Sequence, residues 1–156
     1  MLYKTHLIFA FLISLIILKL FPESFNILFI PLVLLSSFLP DIDIHTSKIG
    51  QKFKVSSFII NKIFHHRGFF HSIFFPLLLY IIFNYIFELK KIALILFIGT
   101  LSHIILDLFT VEGIAFFTPF FHKRINGFIK TGGISEKIFF ILILFISLFL
   151  SYKIFL

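Results

Sequence analysis

The chain has 156 residues, 60% of them hydrophobic and only 13% charged, and it contains no cysteine. A soluble domain is usually about half apolar and about a quarter charged, and a small globule cannot bury the excess because much of its surface faces water. The composition therefore excludes a soluble domain and also a disordered chain, which has the opposite bias. The missing cysteines exclude disulfides, thiolate metal ligands and cysteine nucleophiles. A small polytopic membrane protein remains.

Five apolar runs follow one another along the chain, separated by short polar breaks: residues 7–21, 25–39, 69–87, 92–109 and 138–155. A spanning helix needs about 20 residues, with about 17 as a lower bound. The last three runs meet this length, whereas the first two must tilt or include flanking residues. No small-residue cleavage site follows the first run, which argues against a signal peptide. We predict an all-α fold, with residues 1–156 forming one integral membrane domain of about five transmembrane helices.

Two stretches between these runs do not read as spans. Residues 44–68 are polar and basic, and their apolar side chains recur at roughly helical spacing, which predicts an amphipathic helix in the membrane interface. Residues 111–137 are rich in Phe and Gly, which is typical of a re-entrant or interfacial segment. A sixth span within 114–128 is the alternative, and it would move the C-terminus across the membrane.

The distribution of cations predicts the orientation. In a membrane protein of net charge +7, Lys and Arg serve first to set topology, and we expect no nucleic-acid partner. With five spans, the N-terminus and both non-spanning stretches share the face that holds most cations: Lys4, Lys48, Lys52, Lys54, Lys62, Arg67, Lys123, Arg124, Lys130 and Lys137. The positive-inside rule then predicts an inner (cytoplasmic) membrane protein with a cytoplasmic N-terminus. In this orientation every His and every Asp falls at the cytoplasmic face.

His103 and Asp107 form the most informative pair of polar residues. Their i, i+4 spacing puts them on one helical face, which Thr110 extends. Ionisable residues inside a span are costly and usually functional, and His-x-x-x-Asp on a helix can bind a metal through two side chains. The alternative is a structural hydrogen bond between the two residues or to a neighbouring helix.

A second candidate cluster is Asp41-Ile42-Asp43-Ile44-His45, directly after Pro40. In an extended segment alternate residues share a side, so Asp41, Asp43 and His45 can line one edge. Oxygen and imidazole ligands suit a divalent cation. The alternative is an ordinary polar loop.

The third cluster is His65-His66-Arg67-Gly68-Phe69-Phe70-His71. It combines three imidazoles with a guanidinium that can clamp a phosphate or carboxylate. Gly68 allows a turn or a close approach to a ligand. Alternatively, these side chains only anchor a helix at the lipid headgroups.

Single residues add less. His6 lies at the cytoplasmic end of the first run, where a lone His is also typical of an interface residue. Glu136 is a candidate ligand or general base at the start of the fifth run, where Ser135 can cap the helix. His122 lies beside Lys123 and Arg124, and that setting is typical of an interfacial residue.

The motifs also occur in a recognisable order: Thr5-His6, then Leu39-Pro40-Asp41-Ile42-Asp43, His66-Arg67-Gly68-x-x-His71-Ser72, and Leu101-Ser102-His103-x-x-x-Asp107-x-x-Thr110 with Gly113 downstream. Over roughly residues 5–137 the chain thus resembles the family of membrane-bound, metal-dependent hydrolases, also described as LexA-binding, inner-membrane-associated hydrolases. That family is distantly similar to zinc-dependent phospholipase C and P1-type nucleases.

The resemblance implies a set of metal ligands. His103 and Asp107 match the His-x-x-x-Asp pair of the zinc enzymes, and the remaining ligands would be His6, Asp41 or Asp43, His66 and His71. The bound species would be a divalent metal, most simply zinc, with roughly one to three ions. The soluble relatives also use a His-x-x-x-Glu pair, which this chain lacks.

These predictions combine into a hypothesis of function. The metal would polarise a phosphoryl or acyl oxygen and activate water, Arg67 would bind substrate charge, and Asp43 or Glu136 would orient or deprotonate the water. A site at headgroup depth favours a phosphoester of a lipid or amphiphile. One alternative is a metal-ion or proton-coupled transporter, because intramembrane His and Asp also line transport pathways. Another is a membrane-tethered regulatory binding protein that uses the basic residues 44–68.

Overall fold

The computed structural model describes residues 1–43 and 68–155, with only the backbone at residues 42 and 43. Regular structure in this part of the chain is entirely helical, which confirms the predicted all-α fold. The helices are α1 (Tyr3–Leu20), α2 (Phe29–Ser36), α3 (Phe74–Ile81, continued by a π-helical turn over Ile82–Ile86), α4 (Lys90–Leu108) and α5 (Ile134–Phe155). Two 3-10 helices, Leu39–Asp43 and Phe69–His71, follow α2 and precede α3.

Three of the described helices, α1, α4 and α5, are long and apolar enough to cross a membrane. The second and third runs form shorter helices, which extend with their continuations over Phe29–Asp41 and Phe74–Ile86. The third run is therefore shorter as a helix than its 69–87 boundaries predicted, and the first run makes a full-length candidate span.

Two prolines explain where the short helices begin. Pro31 and Pro76 each lie in the first turn of their helix, where no N–H is needed for the helical hydrogen bonds. If α2 began at residue 25 or α3 at residue 69, each proline would lie deeper in the helix and would leave a carbonyl without its donor. The helices therefore begin at Phe29 and Phe74.

The bundle is built around α1 and α4. Helix α1 packs against α2, α4 and α5, and α4 also packs against α2 and α3. The central apolar cluster comes from α1, α2 and α4 and consists of Ala10, Phe29, Val33 and Ile95. Helix α5 exposes most of its side chains, as expected for a helix that faces lipid.

The α4–α5 loop (residues 109–133) is irregular rather than helical. Two β-bridges close it, a parallel one between Thr110 and Ile129 and an antiparallel one between Ile114 and Ile125. Gly113 lies between them with φ of +60°, a conformation that favours glycine. The sixth span considered for 114–128 is therefore not formed, and residues from Ile134 onward belong to α5. The interfacial helix predicted for 44–68 lies outside the described residues, apart from its last position.

Candidate metal centre

Five ionisable side chains from four separate segments meet at one end of the bundle. They are His6 in the first turn of α1, Asp41 in the 3-10 helix after α2, His71 in the 3-10 helix before α3, and His103 and Asp107 in the last turns of α4. We refer to these five residues as the His/Asp cluster. Their convergence brings together side chains that the sequence had placed only at the same membrane face.

Asp107 lies at the centre of the His/Asp cluster. Its Oδ1 is 3.4 Å from Nε2 of His6, and its Oδ2 is 3.5 Å from Nε2 of His103 and 3.7 Å from Nε2 of His71. The main-chain amine of Met1 donates to Oδ1 at 3.0 Å. A buried carboxylate is stable only when it is paired, and Asp107 has four such partners around it.

Asp41 is the second carboxylate of the cluster. Its Oδ1 lies 3.6 Å from Nε2 of His103 and 3.7 Å from Nε2 of His71. Burial by itself raises the pKa of this carboxyl group, but the interactions with His71 and His103 lower it by more, so that the pKa falls to about 2. Its side chain is 21% exposed, whereas that of Asp107 is 5% exposed. Among the described residues, the cluster opens at Asp41.

His103 joins the two carboxylates. Its Nδ1 lies 2.8 Å from the main-chain oxygen of Ser37, and because a carbonyl oxygen only accepts hydrogen bonds, Nδ1 carries the proton. In a neutral ring, Nε2 therefore presents a lone pair to Asp41 and Asp107. The ring also stacks on that of His6, with centroids 3.8 Å apart and planes 10° apart. A lone pair that faces carboxylate oxygens is repelled by them unless the ring takes up a second proton or a metal cation lies between.

The distances between the His nitrogens and the Asp oxygens test whether a metal ion fits among them. The N–O distances within the cluster run from 3.4 to 3.7 Å, longer than an N–H···O bond of about 2.7–3.2 Å. Around a tetrahedral zinc ion with bonds of about 2.0–2.1 Å, neighbouring ligand atoms lie about 3.3 Å apart. Within the described part of the chain, Nδ1 of His6 and Nε2 of His103 make no hydrogen bond.

Two overlapping sets of three residues have their ligand atoms within 4.8 Å of one another: His6, His103 and Asp107, and Asp41, His71 and His103. Both sets share His103. Imidazole and carboxylate ligands are the ones that zinc uses in the absence of cysteine. The His/Asp cluster can therefore hold a divalent cation of the zinc type.

Several predicted site residues lie outside what the structure describes. These are His66 and Arg67, together with the side chain of Asp43, whose backbone ends the first 3-10 helix. Their predicted roles as ligands and as a binder of substrate charge stay predictions.

Glu136 is buried, but its contacts connect two helices. Its Oε1 accepts hydrogen bonds from the main-chain nitrogen of Leu2 and the hydroxyl of Thr5, both at 2.7 Å. Its Oε2 accepts one from the main-chain nitrogen of Gly132 at 2.6 Å. Glu136 thereby ties the start of α5 to the first turn of α1, next to His6. Its predicted catalytic role stays a prediction, whereas its role in positioning α1 follows from these contacts.

Sequence reasoning missed two partners of the cluster, the carbonyl of Ser37 and the amine of Met1. Both are main-chain groups, which carry no residue-type signal. Thr110, which extends the face of His103 and Asp107, donates instead to the carbonyl of Asp107 at 2.7 Å. His122 is exposed on the α4–α5 loop, as its interfacial prediction implied.

Long apolar helices around a buried His/Asp cluster define a helical integral membrane protein with a candidate metal centre. The chain belongs to the YdjM inner membrane protein family, which matches residues 1–155. The uncharacterized protein YvsG of Bacillus subtilis (strain 168) is 40% identical over 101 residues, which make up 64% of this chain and 63% of YvsG. The match thus covers less than two thirds of that relative. No solved structure matches the chain.

Membership of this family supports two expectations from the sequence, that the chain is a membrane protein and that it lies in the inner membrane. Neither the family description nor the name of the relative states an activity. Hydrolase activity, zinc binding and a LexA-type partner therefore stay predictions.

Proposed function

We propose that this protein is a membrane-bound, metal-dependent hydrolase that acts on a phosphoester of a lipid or amphiphile at the cytoplasmic membrane face. The observation that carries the proposal is the convergence of five His and Asp side chains, with N–O distances of 3.4 to 3.7 Å. Neighbouring ligands of a tetrahedral zinc ion lie about 3.3 Å apart, so these distances are compatible with side chains that share an ion. Placing five ionisable groups in the interior of a membrane protein costs free energy, and such groups usually mark a functional site.

The residues of the cluster have distinct roles in this proposal. His6, His71, His103, Asp41 and Asp107 would hold the metal, in the two overlapping sets that share His103. A bound divalent cation of the zinc type would act as a Lewis acid toward a phosphoryl oxygen and would make water more acidic.

Two of these side chains are held in place by contacts on the side away from the proposed metal. The carbonyl of Ser37 fixes the tautomer of His103. Glu136 fixes the first turn of α1 and with it His6.

Arg67 and Asp43 complete the proposal as residues that approach the substrate. Arg67 would bind a phosphate through its planar fork, and Asp43 would orient the attacking water. Both residues are close to the cluster in sequence. Asp43 lies two residues after Asp41, and Arg67 lies four residues before His71.

The location of the cluster supports an amphiphilic substrate. The cluster lies where α1 begins and α4 ends, so that it lies at the end of two candidate spans rather than midway along them. Its more exposed ligand, Asp41, belongs to the 3-10 helix at that end. A phosphate at headgroup depth would therefore meet the cluster without crossing the apolar part of the bundle.

The alternative of a metal-ion or proton-coupled transporter needs a polar path through the rest of the bundle. The other charged residues of the three long helices lie near their ends, at Lys4, Lys19, Lys90, Lys91, Glu136, Lys137 and Lys153. The buried hydroxyls deeper in the bundle, such as Ser14, Ser102 and Ser147, donate to carbonyls of their own helices. The described helices thus favour a site at one face over a path. A membrane-tethered regulatory binding protein that uses the basic residues 44–68 is the weaker proposal, because a basic segment equally suits anionic lipid.

The test begins with metal analysis of the protein purified in detergent and compares two single-histidine variants. We expect stoichiometric zinc in the wild-type protein and in His122→Ala, whose imidazole is exposed on the α4–α5 loop, and strong loss of zinc in His103→Ala. Stoichiometric metal in His103→Ala would sink the proposal.

Activity separates the remaining alternatives. Hydrolysis of a chromogenic phosphodiester that depends on His103 would support the hydrolase. Zinc or manganese uptake into proteoliposomes without hydrolysis would identify a transporter instead.

A further inference from the structure

The α4–α5 loop carries a group of large apolar side chains that the bundle does not cover. Phe117, Phe120 and Phe121 are 45%, 70% and 68% exposed. His122, Lys123 and Arg124 follow them directly and are also exposed. We refer to these six residues as the loop tip. The hydrolase proposal does not use any of them.

The loop tip is held in place by the structure around it. The bridge between Ile114 and Ile125 closes its base, with main-chain hydrogen bonds of 2.9 and 3.2 Å in both directions. The main-chain nitrogen of Ile73 donates to the carbonyl of Phe116 at 3.0 Å. The ring of Phe120 packs on that of Phe74, with centroids 5.1 Å apart. The exposed rings are therefore presented by an anchored segment beside the start of α3.

The flanking helices fix where the loop tip lies relative to the membrane. Helices α4 and α5 are both candidate spans, and the loop joins the end of one to the start of the other. The loop must therefore return along the membrane surface at the end that holds the His/Asp cluster. Large exposed aromatic side chains at that depth gain free energy by entering the boundary between headgroups and acyl chains.

The charge of the loop indicates which headgroups it meets. Lys123, Arg124 and Lys130 are exposed, and Glu112 is the one acidic residue between α4 and α5. The carboxylate of Glu112 is occupied by a hydrogen bond from the hydroxyl of Thr131 at 3.0 Å. A surface of this charge attracts the anionic lipids of a bilayer.

We propose that the loop tip is a binding site for anionic phospholipids of the surrounding bilayer. The rings of Phe117, Phe120 and Phe121 insert at the headgroup boundary, and Lys123 and Arg124 pair with lipid phosphates. Each cation near the surface strengthens such binding roughly fivefold. The site concerns lipid binding alone and stands independently of the metal and of hydrolysis.

The chain offers a direct probe because it contains no tryptophan. Phe121→Trp introduces a single fluorophore at the loop tip, and Phe21→Trp introduces a matched one, also exposed, after the far end of α1. Each variant is reconstituted into phosphatidylcholine vesicles that contain the same small fraction of a brominated lipid, either phosphatidylglycerol or phosphatidylcholine. Bromine on the acyl chains quenches only a tryptophan in contact with that lipid.

We expect blue-shifted emission from Phe121→Trp and several-fold stronger quenching by the brominated phosphatidylglycerol than by the brominated phosphatidylcholine. Adding Lys123→Gln and Arg124→Gln should remove this preference, as should high salt, which screens the charges. The quenching of Phe21→Trp by the two lipids should not change when Lys123 and Arg124 are replaced, because its end of the bundle carries separate lysines, Lys19, Lys90 and Lys91.

Three results would overturn the proposal. Red-shifted emission that acrylamide quenches freely would place the loop tip in water. Equal quenching of Phe121→Trp by both lipids would show burial without anionic selectivity. Protection of the tryptophan from acrylamide that appears only as the protein concentration rises would assign the loop tip to contact between copies of the chain. None of these readouts depends on bound metal.

Discussion

Nδ1 of His103 lies 2.8 Å from the main-chain oxygen of Ser37, so that one hydrogen bond joins the last turns of α4 to the end of α2. The same bond determines that Nε2 of His103 faces Asp41 and Asp107. One imidazole thus has a structural side, Nδ1, and a side that we propose to bind metal, Nε2, and the two can be separated by mutation.

His103→Asn should keep the structural side and lose the ligand side. The amide nitrogen of Asn can reach roughly the position of Nδ1, but the side chain has no atom at the position of Nε2. His103→Ala loses both and leaves the carbonyl of Ser37 without a donor, which costs about 1–3 kcal/mol. We therefore expect both variants to lose metal. When all three proteins are compared in a chelator, so that none holds metal, only His103→Ala should melt markedly lower than the wild-type protein by circular dichroism in detergent. Retained metal in His103→Asn would contradict the assignment of Nε2 as a ligand.

Asp107→Asn should weaken metal binding more than Asp41→Asn. The side chain of Asp107 is 5% exposed and lies within 3.7 Å of three imidazoles of the cluster, whereas that of Asp41 is 21% exposed and lies at the open side of the cluster. Loss of a group that only hydrogen-bonds to a metal ligand costs about 10–100-fold in metal affinity, and loss of the central carboxylate, Asp107, should cost at least as much. Competition with a chromogenic zinc chelator measures both variants. Equal affinities for the two variants and the wild-type protein would show that the carboxylates do not bind the metal.

Glu136→Gln tests whether this carboxylate positions α1 or takes part in catalysis. The amide group of Gln would turn a donor toward Leu2 and Thr5 or toward Gly132, and at least one hydrogen bond would be lost. A positioning role predicts a lower melting temperature, from a loss of about 1–3 kcal/mol, together with weaker zinc binding through His6.

The control for this substitution is Glu112→Gln on the exposed α4–α5 loop, which should change neither quantity. A Glu136→Gln protein with wild-type stability and metal content but no hydrolysis would instead support the catalytic prediction.

The helical class and the approximate position of each helix were predicted from the sequence, whereas the residues at which α2 and α3 begin were not. Continuous apolar runs of about 17 residues or more predict transmembrane helices, because every main-chain polar group must be satisfied inside lipid. The starts of α2 and α3 differ from the ends of the runs because Pro31 and Pro76 limit where a helix can begin. Those prolines are visible in the sequence, so that the later starts were open to prediction.

For most residues of the candidate site, the sequence predicted only that they lie at the same membrane face. One pair could be placed together. His103 and Asp107 follow from helical spacing alone. His6, Asp41 and His71 come from three other segments, and their meeting depends on how α1, α2 and α3 pack around α4, which no local pattern encodes. Glu136 was a candidate ligand or general base only from its place at the start of the fifth run, and that role stays a prediction. Its hydrogen bonds from Leu2 and Thr5 could not be predicted, because both donors lie in a distant segment of the chain.

Gly99→Ala should destabilise the bundle where α2 crosses α4. A Cβ at this position would collide with Oγ of Ser36 and lie 2.6 Å from the carbonyl oxygen of Val33. Because a main-chain atom cannot move aside, the helices would have to separate, at a cost of about 1–3 kcal/mol. Thermal unfolding in detergent measures the loss, with Leu94→Ala on an exposed side of α4 as the control. Unchanged stability in Gly99→Ala would mean that the close approach of the helices is not required.

The orientation of the His/Asp cluster can be tested with single cysteines, because the chain has none of its own. Asn126→Cys lies on the α4–α5 loop, at the end of the bundle that holds the cluster, and Ser24→Cys lies between α1 and α2 at the opposite end; both positions are exposed. The cluster end carries more of the described cations, which are Lys4, Lys123, Arg124, Lys130 and Lys137. The positive-inside rule therefore predicts that it faces the cytoplasm.

A membrane-impermeant maleimide should accordingly label Ser24→Cys in intact spheroplasts and should label Asn126→Cys only after the membrane is opened. Labelling both variants in inverted membrane vesicles provides the reciprocal control, in which Asn126→Cys should react and Ser24→Cys should not. The reverse pattern would put the His/Asp cluster on the outer face. A phosphoester substrate would then have to come from the outer leaflet, and the cytoplasmic part of the proposed function would be wrong while its metal chemistry could still hold.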